Sequence, residues 1–144
     1  MFTSATMKDP KGYLTSEECR KIIAVVRGRD RLIIYTLLNT GRRISELVGR
    51  YGVRPCDIND RDNVIRWRIL KRKRYTEMTI PTHHNVVHAL VNYAKSHLIA
   101  DDKPLFKMTR QRAFQIVRKA GDLSGVRNVG ETKLHPHHFR HTFA

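Results

Sequence analysis

Cysteine is almost missing from this sequence: its 144 residues include two, Cys19 and Cys56. Two thiols cannot build the disulfide framework of a small secreted protein, and unaided they cannot complete a structural zinc site. Cys19 falls in an apolar helical stripe, so both are expected to be reduced thiols of a cytoplasmic protein. Acidic residues are scarce too, 13 against 28 lysines and arginines, which excludes an acidic-surface enzyme. No apolar run is long enough or free enough of charge to span a bilayer. The N-terminus has no continuous apolar stretch before the polar MKDPKG segment, so no signal peptide is expected. Internal repeats and low-complexity tracts are lacking.

What remains is a basic chain of one domain's length. Hydrophobic residues make up 40%, too many for a disordered basic tail and enough for a single sizeable core. The formal charge is +15. Such an excess repels itself in the compact state and usually faces a polyanion. Nucleic acid fits better than an anionic membrane, because the basic residues are spread along the chain instead of lining one amphipathic helix.

Residues 1–12 are polar, contain Pro10 and Gly12, and read as a linker or flexible start. Thr15 through Glu18 has the form of a capping box opening a helix. Cys19, Ile22, Ile23 and Val26 follow at helical spacing, ending near Gly28. Leu32 to Leu38 is apolar nearly all round, as in a buried helix. After a break at Asn39–Gly41, Thr40 or Gly41 is expected to start a third helix running to Val48. Val64–Leu70 alternates and is rich in β-formers, Lys71–Arg74 interrupts it, and Thr76–Ile80 resumes before Pro81, which predicts a β-hairpin with a basic tip. A long helix is expected to place Val87, Leu90, Val91, Ala94 and Leu98 on one face. Another carries Ala113, Ile116, Val117 and Ala120 and stops at Gly121. Gly125 to Lys133 reads as a loop, and a last helix opens near His135. The expected class is α+β, mainly helical with one small antiparallel sheet.

Three features could carry chemistry. Six of the nine residues from Arg66 to Arg74 are basic, more than an edge hairpin needs to resist aggregation. Such a hairpin can lie along a nucleic-acid groove, and a packed lysine there can protonate a leaving oxygen. Arg43 stands at a predicted helix start, where unpaired N–H groups and a planar guanidinium both suit phosphate, although pairing with Glu46 three residues on is the simpler alternative. His135-Pro136-His137-His138-Phe139-Arg140-His141 holds four histidines. His137 and His141 are spaced i, i+4, but no carboxylate or cysteine nearby completes a zinc site, so no metal is assigned. A solvated or pH-sensing cluster is the plain reading. A histidine and an arginine three residues apart on a helix can instead serve one phosphate, the arginine holding oxygens and the histidine moving a proton.

In that order, these features resemble the catalytic domain of tyrosine recombinases, the phage integrases and Xer-type enzymes. TGRRISEL at 40–47 is similar to the family's first-arginine box, HPHHFRHTFA at 135–144 to its His-x-x-Arg box, and the 64–81 hairpin ending in Ile80-Pro81 to its lysine hairpin. YLTSEE at 13–18 and PLF at 104–106 are further echoes, and the lysine-rich hairpin is in the style of archaeal members. The resemblance covers residues 13–144. It implies a mainly helical DNA breaking-and-rejoining domain that cleaves a strand through a 3′-phosphotyrosine, with no metal and no cofactor. Arg43 and Arg140 would stabilise charge on the phosphate oxygens, His137 would assist proton transfer, and Lys71 or Lys73 would protonate the leaving 5′-oxygen. Arg42, Arg66, Arg68, Arg72, Arg74 and His141 would contact DNA.

The family's pattern continues past the His-x-x-Arg helix to its nucleophile tyrosine. The five tyrosines here, Tyr13, Tyr35, Tyr51, Tyr75 and Tyr93, all precede that place. The expectation is a C-terminally incomplete catalytic domain, 13–144, that binds double-stranded DNA but cannot form the adduct alone. The resemblance further implies a homo-oligomer, a tetramer on paired sites, when full length, with no membrane and a cytoplasmic, nucleoid-associated location. The alternative is a non-catalytic basic DNA- or RNA-binding module whose histidines are incidental.

Overall fold

The computed structural model describes residues 13–143, apart from the side chain of His141; the linker expected at 1–12 lies outside the described residues. The chain divides into two compact units, one discontinuous (up to Arg43, and again from Gln111) and one continuous (Ile44–Arg110).

The discontinuous unit is helical. Helix α1 spans Ser16–Val25 and opens with the expected capping box: the Glu18 N–H donates to Thr15 Oγ1 at 3.0 Å and the Thr15 N–H donates to Glu18 Oε1 at 2.9 Å. Two otherwise unpaired N–H groups are thereby satisfied at the helix start. Helix α2 spans Gly28–Thr40 and buries Ile33, Ile34, Leu37 and Leu38. Gly41 does not open a third helix. It closes α2 at φ +67°, with its N–H on the Leu37 carbonyl at 3.1 Å, a backbone turn that a Cβ disfavours.

Helix α5 spans Arg110–Ser124. It does not stop at Gly121, which lies buried inside it, and the left-handed Gly125 (φ +82°) follows its last residue. The absence of a side chain at Gly121 answers a packing need: a Cβ there would lie 2.9 Å from the Val126 carbonyl oxygen and 3.1 Å from Leu134 Cδ2. The expected loop after it contains a second, two-stranded antiparallel sheet, β4 (Asn128–Val129) with β5 (Thr132–Lys133), turning at Gly130. Helix α6, Pro136–Phe143, packs against α2. The Leu14 N–H donates to Thr142 Oγ1 at 3.0 Å, tying the approach to α1 to α6.

The continuous unit holds the three-stranded antiparallel sheet β1-β2-β3. The third helix is one turn, α3 (Ile44–Leu47), closed before Gly49 at φ +81°. A 3₁₀ turn at Pro55–Asp57 leads into β1 (Ile58–Asn59). Strands β2 (Val64–Lys71) and β3 (Arg74–Pro81) pair from Val64–Pro81 to Lys71–Arg74. The basic run therefore does not interrupt the hairpin. Strand pairing extends into it, and the turn is two residues, Arg72 (φ +48°) and Lys73 (φ +66°). Both central residues are left-handed, the twist that matches two strands most closely, here without the usual Asn-Gly.

Strand β2 buries Ile65 and Trp67, while β3 is exposed along most of its length. Helix α4, His84–Ser96, buries Val86, Val87, Leu90 and Ala94. Leu98 does not join that face. The helix ends before it, the Ile99 N–H returns to the Ala94 carbonyl at 3.0 Å, and Leu98 stands at φ +53° with 91% of its surface exposed. That is a Schellman ending with leucine in the place usually held by glycine.

Candidate phosphate site and nucleic-acid interface

In the discontinuous unit the site is built where α6 meets the end of α2. Arg140 Nη1 donates to the Gly41 carbonyl oxygen at 2.9 Å. Because Gly41 is the cap of α2, this guanidinium sits at the negative end of a helix, where a cation is stabilised. Two residues further along the chain stands Arg43, exposed, on the stretch just before α3. Arg43 and Arg140 are thus on elements that touch through Gly41.

His137 is exposed, one turn before Arg140 on α6, and meets the edges of Phe114 and His135 with ring centroids at 6.4 and 5.3 Å. His138 is different in kind. It is buried, its Nδ1 accepts the His135 N–H at 3.1 Å, and its ring lies on His135 at 4.1 Å. The histidine cluster therefore separates by role: His138 builds the start of α6, and His137 faces solvent. Among the described residues no three His, Cys, Asp or Glu side chains gather in a metal-holding cluster. The two cysteines are free thiols, Cys19 buried and Cys56 exposed. Burial, with Glu18 adding to it, pushes the Cys19 thiol up to about 12, so it stays protonated.

The hairpin candidates belong to the other unit. Lys71, Arg72, Lys73 and Arg74 are consecutive and all exposed, at the end of β2, across the turn and at the start of β3. Arg66 and Arg68, which share a face of β2, are committed elsewhere. Asp57 has no side-chain surface exposed, and its oxygens accept from Arg66 (Nη2 at 2.9 Å, Nε at 3.1 Å) and Arg68 (Nη1 at 2.8 Å, Nη2 at 3.2 Å). The Arg54 N–H adds a further bond at 2.9 Å. Burial by itself would raise the Asp57 pKa, but hydrogen bonds from Arg68, the Arg54 N–H and Arg66 outweigh it and hold the carboxyl below its ordinary range. Arg68 is 13% exposed and Arg66 43%, so Arg68 is a largely covered structural cation and Arg66 keeps part of its surface for solvent.

A second buried carboxylate holds the same strand. Glu46 of α3 accepts the Leu70 N–H through Oε2 at 3.1 Å. Strand β2 is therefore anchored at Arg66, Arg68 and Leu70, directly below the basic tip. Neither acid was legible as an anchor in advance. Two arginines spaced i, i+2 on a strand are the one hint that a shared carboxylate lies beneath them. Arg42 is half-buried and its N–H donates to Thr40 Oγ1 at 3.3 Å. The side chain of His141 lies outside the described residues.

A sequence profile of the phage integrase family matches residues 12–144. The chain belongs to the phage integrase family. Among curated relatives, this integrase-family chain is 31% identical to the tyrosine recombinase XerA of Pyrococcus furiosus, over 91% of this chain and 46% of that protein. It is 29% identical to the tyrosine recombinase XerD of Mycobacterium tuberculosis, over 81% of this chain and 38% of that one. The chain thus spans less than half the length of these two relatives. The fold is shared with the crystal structure of XerA recombinase (TM-score 0.68, 23% identity, 91% of this chain and 48% of that). It is shared too with XerH site-specific recombinase, whose structure is a pre-cleavage complex with its difH substrate (TM-score 0.64, 18% identity, 92% and 41%). A mainly helical domain with small antiparallel sheets is the fold shared with these recombinase structures. No helix among the described residues is long and apolar enough to cross a membrane.

Proposed function

We propose that this chain is the phosphate-activating part of a site-specific DNA recombinase or integrase. In this reading Arg43 and Arg140 neutralise the non-bridging oxygens of a scissile phosphate, where charge develops in the transition state. A tyrosine hydroxyl attacks phosphorus and loses its proton with help from His137. The bond to the 5′-oxygen breaks, and that oxygen takes a proton from Lys71 or Lys73, leaving a 3′-phosphotyrosine and a free 5′-hydroxyl. The observation that carries the reading is the Arg140–Gly41 hydrogen bond, which joins the His-x-x-Arg helix to the turn leading into Arg43. The exposed run Lys71–Arg74, with Arg42, the free surface of Arg66, and His141, supplies contacts to the DNA backbone. Arg68 contributes to that surface through the strand it holds.

None of the five tyrosines is proposed as nucleophile. Tyr51 stacks on Tyr75 at 4.1 Å, and Tyr93 stacks on His97 at 4.0 Å. Tyr13 precedes the first helix and Tyr35 lies within α2. The protein acts beside DNA in the cytoplasm, and as a tetramer on paired sites when the remaining segments are present.

A nicked suicide DNA substrate tests the proposal. This 144-residue chain alone should trap no covalent adduct. With the C-terminal tyrosine segment of a relative supplied in trans, an adduct should form, and Arg140→Ala should reduce it by about a hundredfold or more. An adduct on the chain alone overturns the assignment of the nucleophile. The exposed basic tip also fits a plain nucleic-acid-binding module, which requires that no adduct form in trans and that Arg43→Ala and Arg140→Ala weaken affinity no more than other basic substitutions.

A further inference from the structure

Two residues three apart on α6 converge on one glycine. Arg140 Nη1 bonds the Gly41 carbonyl at 2.9 Å, and Phe143 covers the Cα of the same residue. A Cβ built on Gly41 would lie 2.5 Å from Phe143 Cδ2 and 3.0 Å from Cγ. Gly41 also holds φ +67°, a conformation that sets the direction of its carbonyl and that side chains with a Cβ resist. The carbonyl is one of the last of α2, a position that an ordinary helix leaves to water or to a basic side chain.

From this we infer that Gly41 is a positioning residue for Arg140: its carbonyl, aimed by the left-handed turn, fixes the guanidinium that meets a phosphate oxygen. A free arginine side chain samples many rotamers, and anchoring one of its N–H groups to rigid backbone removes much of that freedom before the ligand arrives. The planar fork then turns with its anchored edge, so moving the carbonyl re-aims the whole group. The inference rests on reading Arg140 as a phosphate ligand.

The test uses the full chain labelled with ¹⁵N-arginine, with inorganic phosphate as the probe. The Arg140 guanidinium signals are identified by their loss in Arg140→Lys, and phosphate binding is followed at the His137 ring. Gly41→Val alone would also displace the Phe143 ring and mix two effects, so both comparison variants carry Phe143→Ala. Valine resists the left-handed region, whereas asparagine tolerates it. Gly41→Asn with Phe143→Ala should keep the Arg140 signal shifted and slowly rotating, and phosphate affinity near that of Phe143→Ala alone. Gly41→Val with Phe143→Ala should lose that signature and weaken phosphate by about tenfold, as removing one charge-assisted hydrogen bond does. Adding Arg140→Lys to it should then cost nothing further. Additive losses, or an unchanged Arg140 signal in the valine variant, overturn the inference. If Arg140→Lys in the parent chain leaves phosphate affinity untouched, the phosphate-ligand reading fails instead, and the guanidinium signal still reports whether Gly41 orients Arg140.

Discussion

Arg68 Nη1 lies 2.8 Å from Asp57 Oδ2, joining the middle of strand β2 to the turn that precedes the sheet. The carboxylate is fully covered and the guanidinium nearly so, while Arg66 approaches the same carboxylate from the next position on that face. A buried charge of this kind is tolerated because its partners arrive with fixed geometry. Its consequence is that the hairpin's tip projects from an anchored strand.

Asp57→Asn should therefore destabilise the chain by about 3 kcal/mol in urea unfolding, because Arg68 then stays buried without its counter-charge. The folded-state pKa of Asp57 lies below its unfolded value. The stabilisation is accordingly complete above the unfolded carboxylate value, about 4, and is lost as pH falls through the folded value. Stability curves of the parent and Asp57→Asn should converge in strong acid and separate toward neutrality. A constant gap from pH 2 to 7 contradicts the role given to the ion pair.

The hairpin turn separates stability from binding. Replacing Arg72-Lys73 with Asn-Gly supplies the residues that a two-residue left-handed turn favours, and should raise stability by about 1 kcal/mol. The same change removes two exposed positive charges. The slope of log affinity for duplex DNA against log salt should fall by about 2. An unchanged salt slope shows that the tip does not touch phosphate.

Thr15→Ala should cost about 1 kcal/mol, the usual value of an N-cap hydroxyl. Glu18→Ala removes the reciprocal bond, and the two losses together should be less than additive, since each residue caps the other. Thermal or urea unfolding of the two single variants and the double variant measures this.

Two glycines in one stretch should respond differently to alanine. Gly121→Ala is favoured by helix propensity but meets the Val126 carbonyl and Leu134, and should lose about 1–3 kcal/mol net. Gly125→Ala meets nothing within 4 Å, yet stands at φ +82°, and should lose about 1 kcal/mol from backbone strain alone. If Gly121→Ala proves stabilising, the close approach of α5 to Leu134 is not as tight as described.

Local rules were readable wherever a few neighbouring residues decide the outcome. The Thr15–Glu18 cap, the apolar run of α2 and the alternation of β2 all depend on contacts within a turn, on local composition or on side-chain periodicity. Boundaries set by tertiary packing were not. Gly121 resembles a helix stop, but it stands inside α5, and it is glycine because Leu134 and the Val126 carbonyl occupy the space where a side chain would be. Leu98 fits the α4 stripe by number, but the chain turns away before reaching it. The turn at Gly41 is ambiguous by composition, since glycine can flank either end of a helix.

The candidate site divides in the same way. Sequence by itself determined the basic charge, the hairpin and the two arginine-bearing motifs, because residue type and spacing define them and the family profile recognises the same pattern. Only tertiary structure decided which charges are committed. It paired Arg66 and Arg68 with Asp57 and left Lys71–Arg74 exposed, withdrew His138 into the base of α6, and set Arg140 on the Gly41 carbonyl across 99 residues of chain. The physical reason is that a hydrogen bond or ion pair depends on separation in space, and a linear pattern carries no record of distances between residues so far apart.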